Sequence, residues 1–334
     1  MPLTVFRADT QTRYLVIEMG ATGIGHIRYL ADMVKPDIGV VLGIGTAHAG
    51  EFGGVENIAQ AKGELLESLA ANGTAVINLD DDRVAAMRSR TGAAVLGFSA
   101  EERSGATVRA VNPDTNAQGN PEFELVLPDG ETGLHVNSRL IGAHHIGNLL
   151  AAAAAAWAAG VPGTDIAASL STQSAASRWR MERTERADGV TIINDAYNAN
   201  PESMRAALRT LADLGRGRRT WAVLGAMLEL GPDSIREHTA VGTQVVRLNI
   251  SRLVVVGREA RALYVSAVQE GSWGDECVFA ETADDAYALL NAELEPGDLV
   301  LFKSSNSVGL RHLGDRIALP PQTTEPADEG SELL

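Results

Sequence analysis

The chain has very little cysteine: Cys277 is the only one among 334 residues. One cysteine cannot form an internal disulfide, and no Cys/His cluster has the spacing of a zinc site, so we expect a reducing compartment. Basic residues are also few, because 28 Lys and Arg stand against 43 Asp and Glu and leave a formal net charge of −15. That balance argues against a protein that coats a nucleic-acid duplex, since phosphate neutralisation needs clustered bases.

Aromatic residues are scarce at 4%, and no apolar run reaches the roughly 18 residues of a membrane span. We therefore expect aliphatic cores and a soluble cytoplasmic protein. A phosphate-binding loop of the form G-x-x-x-x-G-K-S/T is missing from the chain as given. The segment GATGIG at 20–25 lacks the G-x-G-x-x-G spacing, and no ribose-binding acid ends the next strand, so a nicotinamide oxidoreductase is only an alternative.

Hydrophobic residues reach 45%, which is enough to build two cores in a chain of this length. Four continuous apolar runs alternate with helical stretches between 14 and 99: YLVIEMG, IGVVLGIGTAH, GTAVINLDD and AAVLGFS. They predict a parallel sheet with helices on both faces. Polar and apolar residues alternate from 106 to 140 and predict an antiparallel excursion, and the alanine-rich run closed by Gly160 predicts a helix.

A second alternation follows Arg180, with five apolar runs separated by four helical patterns. This is the pattern of a second doubly wound unit. The predicted fold class is therefore α/β with two doubly wound domains, the first at 1–176 and the second at 177–318. Residues 319–334 contain four acids, no base and two adjacent prolines, so we expect a disordered acidic tail.

Two polar residues fall at predicted strand ends, where ligands bind in α/β sheets. Glu18 lies within YLVIEMG, where an unpaired carboxylate would cost several kcal/mol, so it needs a metal ion or a basic partner. His48 ends the next run and could join Glu18 at a divalent cation, although a lone histidine is more often a structural residue. Lys62 lies in a helical pattern and would by itself be a solvated helix lysine.

The first strand of the second unit ends in INDAYNANPESM. Asp195 and the run from Tyr197 to Asn200 stand there, with Pro201 at a helix start and Ser203 in its first turn. Amide and carboxylate groups at such a switch suit hydrogen bonding to ribose or base. An ordinary Asn-rich turn is the alternative.

Eight segments occur in one order: VIEMGA, GTAHAGEFG, AQAKGELL, HHIGN before the alanine run, WRME, NDAYNANPESM, GAMLELG and FKSSN. Together they resemble the Mur ligases, the ATP-dependent amide ligases of peptidoglycan precursor synthesis, from about Pro2 to Ile317. DAYNANPESM and GAMLELG are most similar to the members that join D-alanyl-D-alanine to UDP-N-acetylmuramoyl-tripeptide. The resemblance implies a central ATP-binding domain, a Rossmann-like C-terminal domain, a cytoplasmic monomer, and ATP and Mg²⁺ as cofactors.

The resemblance also implies roles for single residues. Glu18 and His48 match positions that hold magnesium, and Lys62 matches a lysine that relatives carry as a carbamate, which turns a cation into an oxygen ligand. Asn148 matches an asparagine that contacts adenine.

Further roles come from the second unit. Arg180 matches an arginine that reaches the γ-phosphate, and Asp195 matches the carboxylate that binds ribose, with Asn198 and Asn200 beside it on the ATP side. Lys303 and Asn306 match a substrate-facing segment, and Asn306 stands where many relatives have Arg.

The chain departs from the family pattern in two further places. His144-His145-x-x-Asn148 replaces the usual His-Asn-x-x-Asn, and the family's uracil-nucleotide-binding domain and phosphate loop would precede the segment that PLTVFRA resembles. We therefore expect the chain as given to start after both and to be a poor ligase by itself. A degenerate ligase that binds nucleotide or UDP-sugar peptide without turnover is the alternative.

Overall fold

Two six-stranded sheets organise the chain, and a computed structural model describes residues 2–45, 52–271 and 274–319. The first sheet has its strands in sequence order: β1 Ile38–Val41, β2 Thr74–Asn78, β3 Ala94–Ser99, β4 Val108–Thr115, β5 Pro121–Val126 and β6 Leu134–Asn137. β1 to β4 are parallel, and β4, β5 and β6 pair antiparallel. The predicted antiparallel excursion is thereby confirmed.

Helices accompany this sheet: α1 Pro2–Val5, α2 His26–Val34, α3 Val55–Glu67, α4 Asp82–Ala86, α5 His145–Ala158 and α6 Gly163–Thr172. α5 is the predicted alanine-rich helix. Its buried Ala151, Ala153 and Ala154 share a core cluster with Val76 and Phe98 of the sheet. Small side chains let the helix axis approach the strands closely, and Gly160 at a φ of +82° ends the helix in the left-handed region.

The strand predicted at YLVIEMG is wrong. Residues 12–20 have no regular secondary structure, and Tyr14, Leu15 and Val16 are 57%, 44% and 90% exposed. A strand needs a hydrogen-bonded neighbour, and within the described residues β1 is the edge of its sheet and pairs only with β2. The apolar run therefore indicates a preference for burial, but three of its side chains are exposed in this structure.

The second sheet has the order β11-β10-β9-β12-β8-β7. Its strands are β7 Glu182–Glu185, β8 Thr191–Asn194, β9 Thr220–Leu224, β10 Arg252–Val256, β11 Cys277–Ala280 and β12 Leu299–Lys303. β8 to β12 are the five predicted parallel strands, and β7 is an antiparallel edge strand that the sequence did not predict. The predicted α/β class with two parallel-dominated sheets is confirmed.

The helices of this half are α7 Pro201–Leu214, α8 Ser234–Arg247, α9 Arg261–Glu270, α10 Ala283–Glu293 and α11 Leu310–Ala318. They divide the buried side chains into two clusters, one that includes Met204 and Val241 and another that includes Ala286 and Leu313. No helix in the described part of the chain is long and apolar enough to cross a membrane.

A polar cluster is buried at the amino end of the second sheet. The Asp298 side chain, 3% exposed, accepts hydrogen bonds from Arg219 at 2.9 and 2.7 Å and from Trp221 Nε1 at 3.0 Å. The guanidinium carbons of Arg219 and Arg252 lie 5.3 and 4.8 Å from the Trp221 ring centroid. The buried acid is thus fully paired, as a buried charge must be.

The two halves are in direct contact. Ile141, which follows β6 of the first sheet, is 8% exposed and belongs to the core cluster of the second half with Leu208 and Leu211. At Gly119 an added methyl group would lie 2.7 Å from Leu214, and at Gly142 it would lie 2.8 Å from Thr210 Oγ1. Loops of the first sheet therefore pack against α7 and fix where the two halves meet.

Candidate active site

The carboxyl ends of three adjacent strands, β8, β12 and β9, carry the predicted polar residues of the second half. The loops that follow these strands are joined by Ser305, whose N–H donates to Ala226 O at 2.9 Å and whose Oγ accepts from Leu228 N–H at 2.9 Å. A cavity of about 480 Å³ opens between them, lined by Tyr197, Asn198, Ala199, Asn200, Leu228, Glu229, Ser305, Asn306 and Ser307. Its volume lies within the range of small-molecule sites, and its lining is rich in amide and hydroxyl groups.

Asp195 and Lys303 form a buried ion pair at this edge. Lys303 Nζ lies 2.5 Å from Asp195 Oδ2, and the two side chains are 3% and 15% exposed. Sequence reasoning predicted a site role for each residue but missed that they bind each other across 108 positions. The ribose contact of Asp195 and the substrate contact of Lys303 stay predictions. In the structure the two side chains bind each other.

Arg180 is exposed beside the same loop, and its guanidinium carbon lies 4.4 Å from the centroid of the Tyr197 ring. A cation over an aromatic face is attracted by the electron density of the ring. The side chain thus has a defined resting place and a charge available to an anionic ligand. Sequence reasoning named Tyr197 only as part of a polar run and missed this contact.

The asparagines of the loop differ in what their side chains do. Asn200 is the N-cap of α7, because its Oδ1 accepts from Ser203 N–H at 2.8 Å while Ser203 Oγ accepts from Asn200 N–H at 3.0 Å. Asn198 Oδ1 accepts from the next amide, Ala199 N–H, at 2.9 Å. The capping role of Asn200 follows the structural alternative, and the ATP contacts of both residues stay predictions.

The start of α5 brings the first half to this site. Asn148 is exposed one turn into the helix, with Nδ2 at 3.3 Å from His145 Nδ1, and the rings of His144 and His145 lie 4.2 Å apart. Loss of water around them lowers the pKa of both histidines to about 4. The charge of Lys303 lowers the pKa of His144 further, and Asp195 partly opposes the shift at His145. At Gly142, two residues before His144, an added methyl group would lie 2.8 Å from Thr210 Oγ1 of α7, so the start of α5 packs against the second half.

Lys62, on α3, is half-buried rather than solvated. Its Nζ donates to Gly43 O, just after β1, at 2.8 Å. Burial lowers the pKa of the Lys62 amine, and the nearby carboxylate of Asp81 opposes this shift. A lowered pKa increases the neutral amine, which is the form that can add CO₂.

Asp81 was missed by sequence reasoning. It is the N-cap of α4, accepting from Arg83 and Val84 N–H groups, and its Oδ2 also accepts from Ile44 N–H at 2.7 Å. It therefore links the carboxyl ends of β1 and β2 next to Lys62. An acid directly before a helical pattern was the available signal.

The predicted metal ligands are only partly placed. Glu18 has an exposed side chain on the irregular segment 12–20, so the expectation that apolar neighbours enclose it is wrong, since water can solvate the carboxylate. His48 lies outside the described residues. Among the described residues, no group of three or more His, Cys, Asp or Glu side chains could hold a metal ion. The magnesium roles of Glu18, His48 and a Lys62 carbamate stay predictions.

The glycine-rich segment 20–25 does not form a phosphate site. Gly25 and Arg28 N–H groups, at the start of α2, donate to the Glu64 carboxylate at 2.6 and 3.0 Å, and Glu64 is 2% exposed. The helix amides that would bind a pyrophosphate are therefore taken by a protein acid. No strand precedes the segment, so the structural basis for a nicotinamide enzyme is missing from the described residues.

A second cavity, of about 510 Å³, lies between β7, β8 and α11. The Asp315 carboxylate in its wall accepts from Trp179 Nε1, Arg178 and Asn194 at 3.0, 2.9 and 3.1 Å. None of the residues predicted for chemistry lines this cavity. The candidate site is therefore the edge where Asp195 lies.

Comparisons with known proteins agree with this architecture. The family models for the Mur ligase middle domain and for the Mur ligase glutamate ligase domain match residues 1–156 and 179–306. The UDP-N-acetylmuramoyl-tripeptide--D-alanyl-D-alanine ligase of Mycobacterium tuberculosis is 44% identical over 95% of this chain, and that of Escherichia coli is 32% identical over 79%. The chain spans 64% and 57% of the lengths of these two relatives.

Solved structures give the same result. A crystal structure of MurF from Acinetobacter baumannii superposes with a TM-score of 0.84 and is 30% identical, with 95% of this chain and 67% of that chain covered. Two consecutive family models, near-complete coverage of the chain and the matching fold lead to one conclusion. The chain belongs to the Mur ligase family.

Proposed function

We propose that the chain forms the nucleotide-binding and acceptor-binding parts of an ATP-dependent ligase that joins D-alanyl-D-alanine to UDP-N-acetylmuramoyl-tripeptide. The observation that carries the proposal is the packing of the two halves against each other, in which Ile141, just before α5, lies in one core cluster with Leu208 and Leu211 of α7. The names of the relatives at 44% and 32% identity support the substrates. We assign residues 1–176 to the central domain and 177–318 to the C-terminal domain.

The chemistry requires activation of a carboxylate, which is a poor acyl donor. In the proposed reaction the tripeptide carboxylate attacks the γ-phosphorus of ATP, which forms an acyl phosphate and expels ADP. The amine of D-alanyl-D-alanine then attacks the acyl carbon, loses a proton and expels phosphate. Arg180 offsets negative charge on the transferring phosphoryl group, and Asp195, Asn148, Asn198 and Asn200 hold the nucleotide.

A divalent cation fits the proposed donor set only if Lys62 is modified. An ammonium repels Mg²⁺, whereas a carbamate, formed when the neutral amine adds CO₂ and releases a proton, offers the hard oxygen that Mg²⁺ prefers. Glu18, His48 and the Lys62 carbamate would hold the ion. When bound, it would neutralise charge on the phosphates.

The cavity of about 480 Å³ beside Asn306 is the proposed acceptor site. The Asn306 amide and the hydroxyls of Ser305 and Ser307 can hydrogen-bond the amide and carboxylate of a dipeptide, and Asn306 Oδ1 already accepts from Arg311. A guanidinium so close to Asn306 can supply the positive charge that relatives place at position 306. The carboxylate of the acceptor dipeptide would then pair with the Arg311 guanidinium beside Asn306.

Phosphate release tests the proposal. The full-length protein is mixed with ATP, Mg²⁺, UDP-N-acetylmuramoyl-tripeptide and D-alanyl-D-alanine, and inorganic phosphate is measured. We expect release that needs both substrates and that falls by roughly 10³-fold in Arg180→Ala, as for removal of a charge that stabilises a transferring phosphoryl group. Nucleotide binding without substrate-dependent release would instead identify a non-catalytic binding module.

A further inference from the structure

Lys303 was predicted to contact substrate. In the structure its ammonium is enclosed by the loop that follows β8. Its ammonium donates to Asp195 Oδ2 at 2.5 Å, to Asn198 O at 3.0 Å and to Asp195 O at 3.4 Å. An ammonium has three protons to donate, and all three have acceptors within one loop. With a side chain 3% exposed, Lys303 has no free donor to offer a substrate.

The same loop holds the backbone on both sides of Arg180. Asp195 Oδ1 accepts from Met181 N–H at 3.0 Å, and Tyr197 N–H donates to Trp179 O at 3.1 Å. Trp179 and Met181 have φ angles of 60° and 50°, in the left-handed region that residues other than glycine rarely adopt. This strained backbone therefore depends on bonds to the loop, and one of those bonds is to Asp195 itself.

We propose that Lys303 is a positioning residue, which fixes the Asp195 carboxylate and, through it, the backbone that presents Arg180. The inference rests on the proposed function insofar as Asp195 and Arg180 are the ribose and phosphate contacts. A carboxylate has about four acceptor positions. Lys303 occupies one acceptor position on Asp195 Oδ2, and Met181 N–H occupies one on Oδ1. These two bonds fix the orientation of the carboxylate, and its remaining positions can accept hydrogen bonds from a ribose diol.

Lysine suits this role because its ammonium is compact and directs its donors from one point. The three acceptors are a carboxylate oxygen and two backbone oxygens that converge on Nζ. A planar guanidinium at the same position would need a wider, fork-shaped set of acceptors. Lys303→Arg should therefore disturb the loop even though it keeps the charge.

A matched pair of variants separates positioning from general stability. Lys303→Met removes the cation that is paired with Asp195 at the carboxyl end of the second sheet. Arg219→Met removes the cation that is paired with Asp298, a side chain 3% exposed, at the amino end of the same sheet. Kd values are measured for ADP and for 2′,3′-dideoxy-ADP, which lacks the diol. We expect the native chain to prefer ADP, Lys303→Met to reduce this preference roughly tenfold, and Arg219→Met to retain it.

Hydrogen exchange of the nucleotide-free protein gives a second measurement. In Lys303→Met, amides in 178–182 and 195–200 should exchange faster while those of β10 remain as protected as in Arg219→Met. The double variant with Asp195→Asn removes the uncompensated buried acid. It should regain stability, while the amides of both loops still exchange fast and the preference for ADP stays low. A stable protein with these two changes would show that they do not come from misfolding.

Each outcome decides the proposal. A retained ADP preference with protected loops in Lys303→Met would overturn it, and so would an equal loss of affinity for both nucleotides with protected loops. If the native chain binds neither nucleotide, the proposed function fails in this form of the protein. The exchange data then decide the positioning role alone, in favour of it if both loops loosen and against it if they do not.

Discussion

The two halves of the proposed site are prepared to different degrees. In the second half, Asp195, Lys303 and the backbone around Arg180 are joined by short hydrogen bonds beneath a defined cavity. In the first half, Glu18 is exposed on an irregular segment, and within the described residues Lys62 makes one hydrogen bond, to Gly43 O. The difference teaches that one sheet can organise the proposed nucleotide contacts in advance, whereas the proposed metal ligands come from several separate segments.

Removing Lys62 from the first half and Lys303 from the second should give the largest contrast. Lys303→Met leaves the Asp195 carboxylate without its cation, and we expect the free energy of unfolding to fall by about 3 kcal/mol, as for a broken buried pair. Lys62→Met should cost less than about 1 kcal/mol, because burial already disfavours its charge. Urea unfolding followed by circular dichroism measures both, and equal losses would contradict the comparison.

One acid of the first half, Glu64, is buried and accepts hydrogen bonds from two backbone amides. Glu64→Ala leaves the Gly25 and Arg28 amides at the start of α2 unpaired, and we expect a loss of about 2 kcal/mol. Glu56→Ala on the same helix is the control, because the Glu56 side chain is 76% exposed and its loss should change stability by less than about 0.5 kcal/mol. Similar effects for both would mean that Glu64 does not cap α2.

Acid should weaken the contact between the halves. The pKa values of His144 and His145 are lowered from 6.5 to about 4 in the folded chain. Below pH 6.5 the unfolded chain takes up protons that the folded chain refuses, so their stabilising contribution is complete above 6.5 and is lost as pH falls through 4. Allowing for water that reaches both rings, we expect about 1 kcal/mol.

The measurement compares urea midpoints of the native chain and a His144→Gln, His145→Gln double variant between pH 7 and pH 4. Other acids titrate in both proteins, so only the difference between them reports the histidines. The native chain should lose more stability on acidification than the variant. Parallel pH profiles would show that the two rings are as accessible to protons as in the unfolded chain.

The smallest effect concerns the amine of the first half. With ¹³C-labelled bicarbonate, a carbamate carbon signal should appear in the native chain and in Lys35→Arg but not in Lys62→Arg, because Lys35 is exposed and Lys62 has its pKa lowered by burial. The signal should weaken as pH falls, since protonated amine does not add CO₂. A signal that survives in Lys62→Arg would place the modification elsewhere.

Much of the fold could be predicted because buried parallel strands have continuous apolar sequences. Runs such as those of β10 and β12 have this property, and both were found. β7 was missed because its sequence, ERTE, is charged along a strand that pairs on one side only. The strand at YLVIEMG was predicted in error because composition shows a preference for burial but not whether a pairing neighbour is present.

The site was predictable only as far as local signals reach. Pro201 and Ser203 marked the start of α7, and with it the cap formed by Asn200. The Asp195–Lys303 pair joins residues 108 positions apart, and the stacking of Arg180 on Tyr197 depends on two left-handed residues that the sequence does not mark. Such contacts arise from topology, which brings the ends of β8 and β12 side by side.

β7 also affects how the molecule meets its own copies. A parallel sheet that ended at β8 would present an apolar strand with unpaired backbone groups, a template on which other chains can add. The four residues of β7 cover that edge and carry Glu182, Arg183 and Glu185. Another chain adding a strand there would have to strip water from these charges, so this side of the protein should resist aggregation at high concentration.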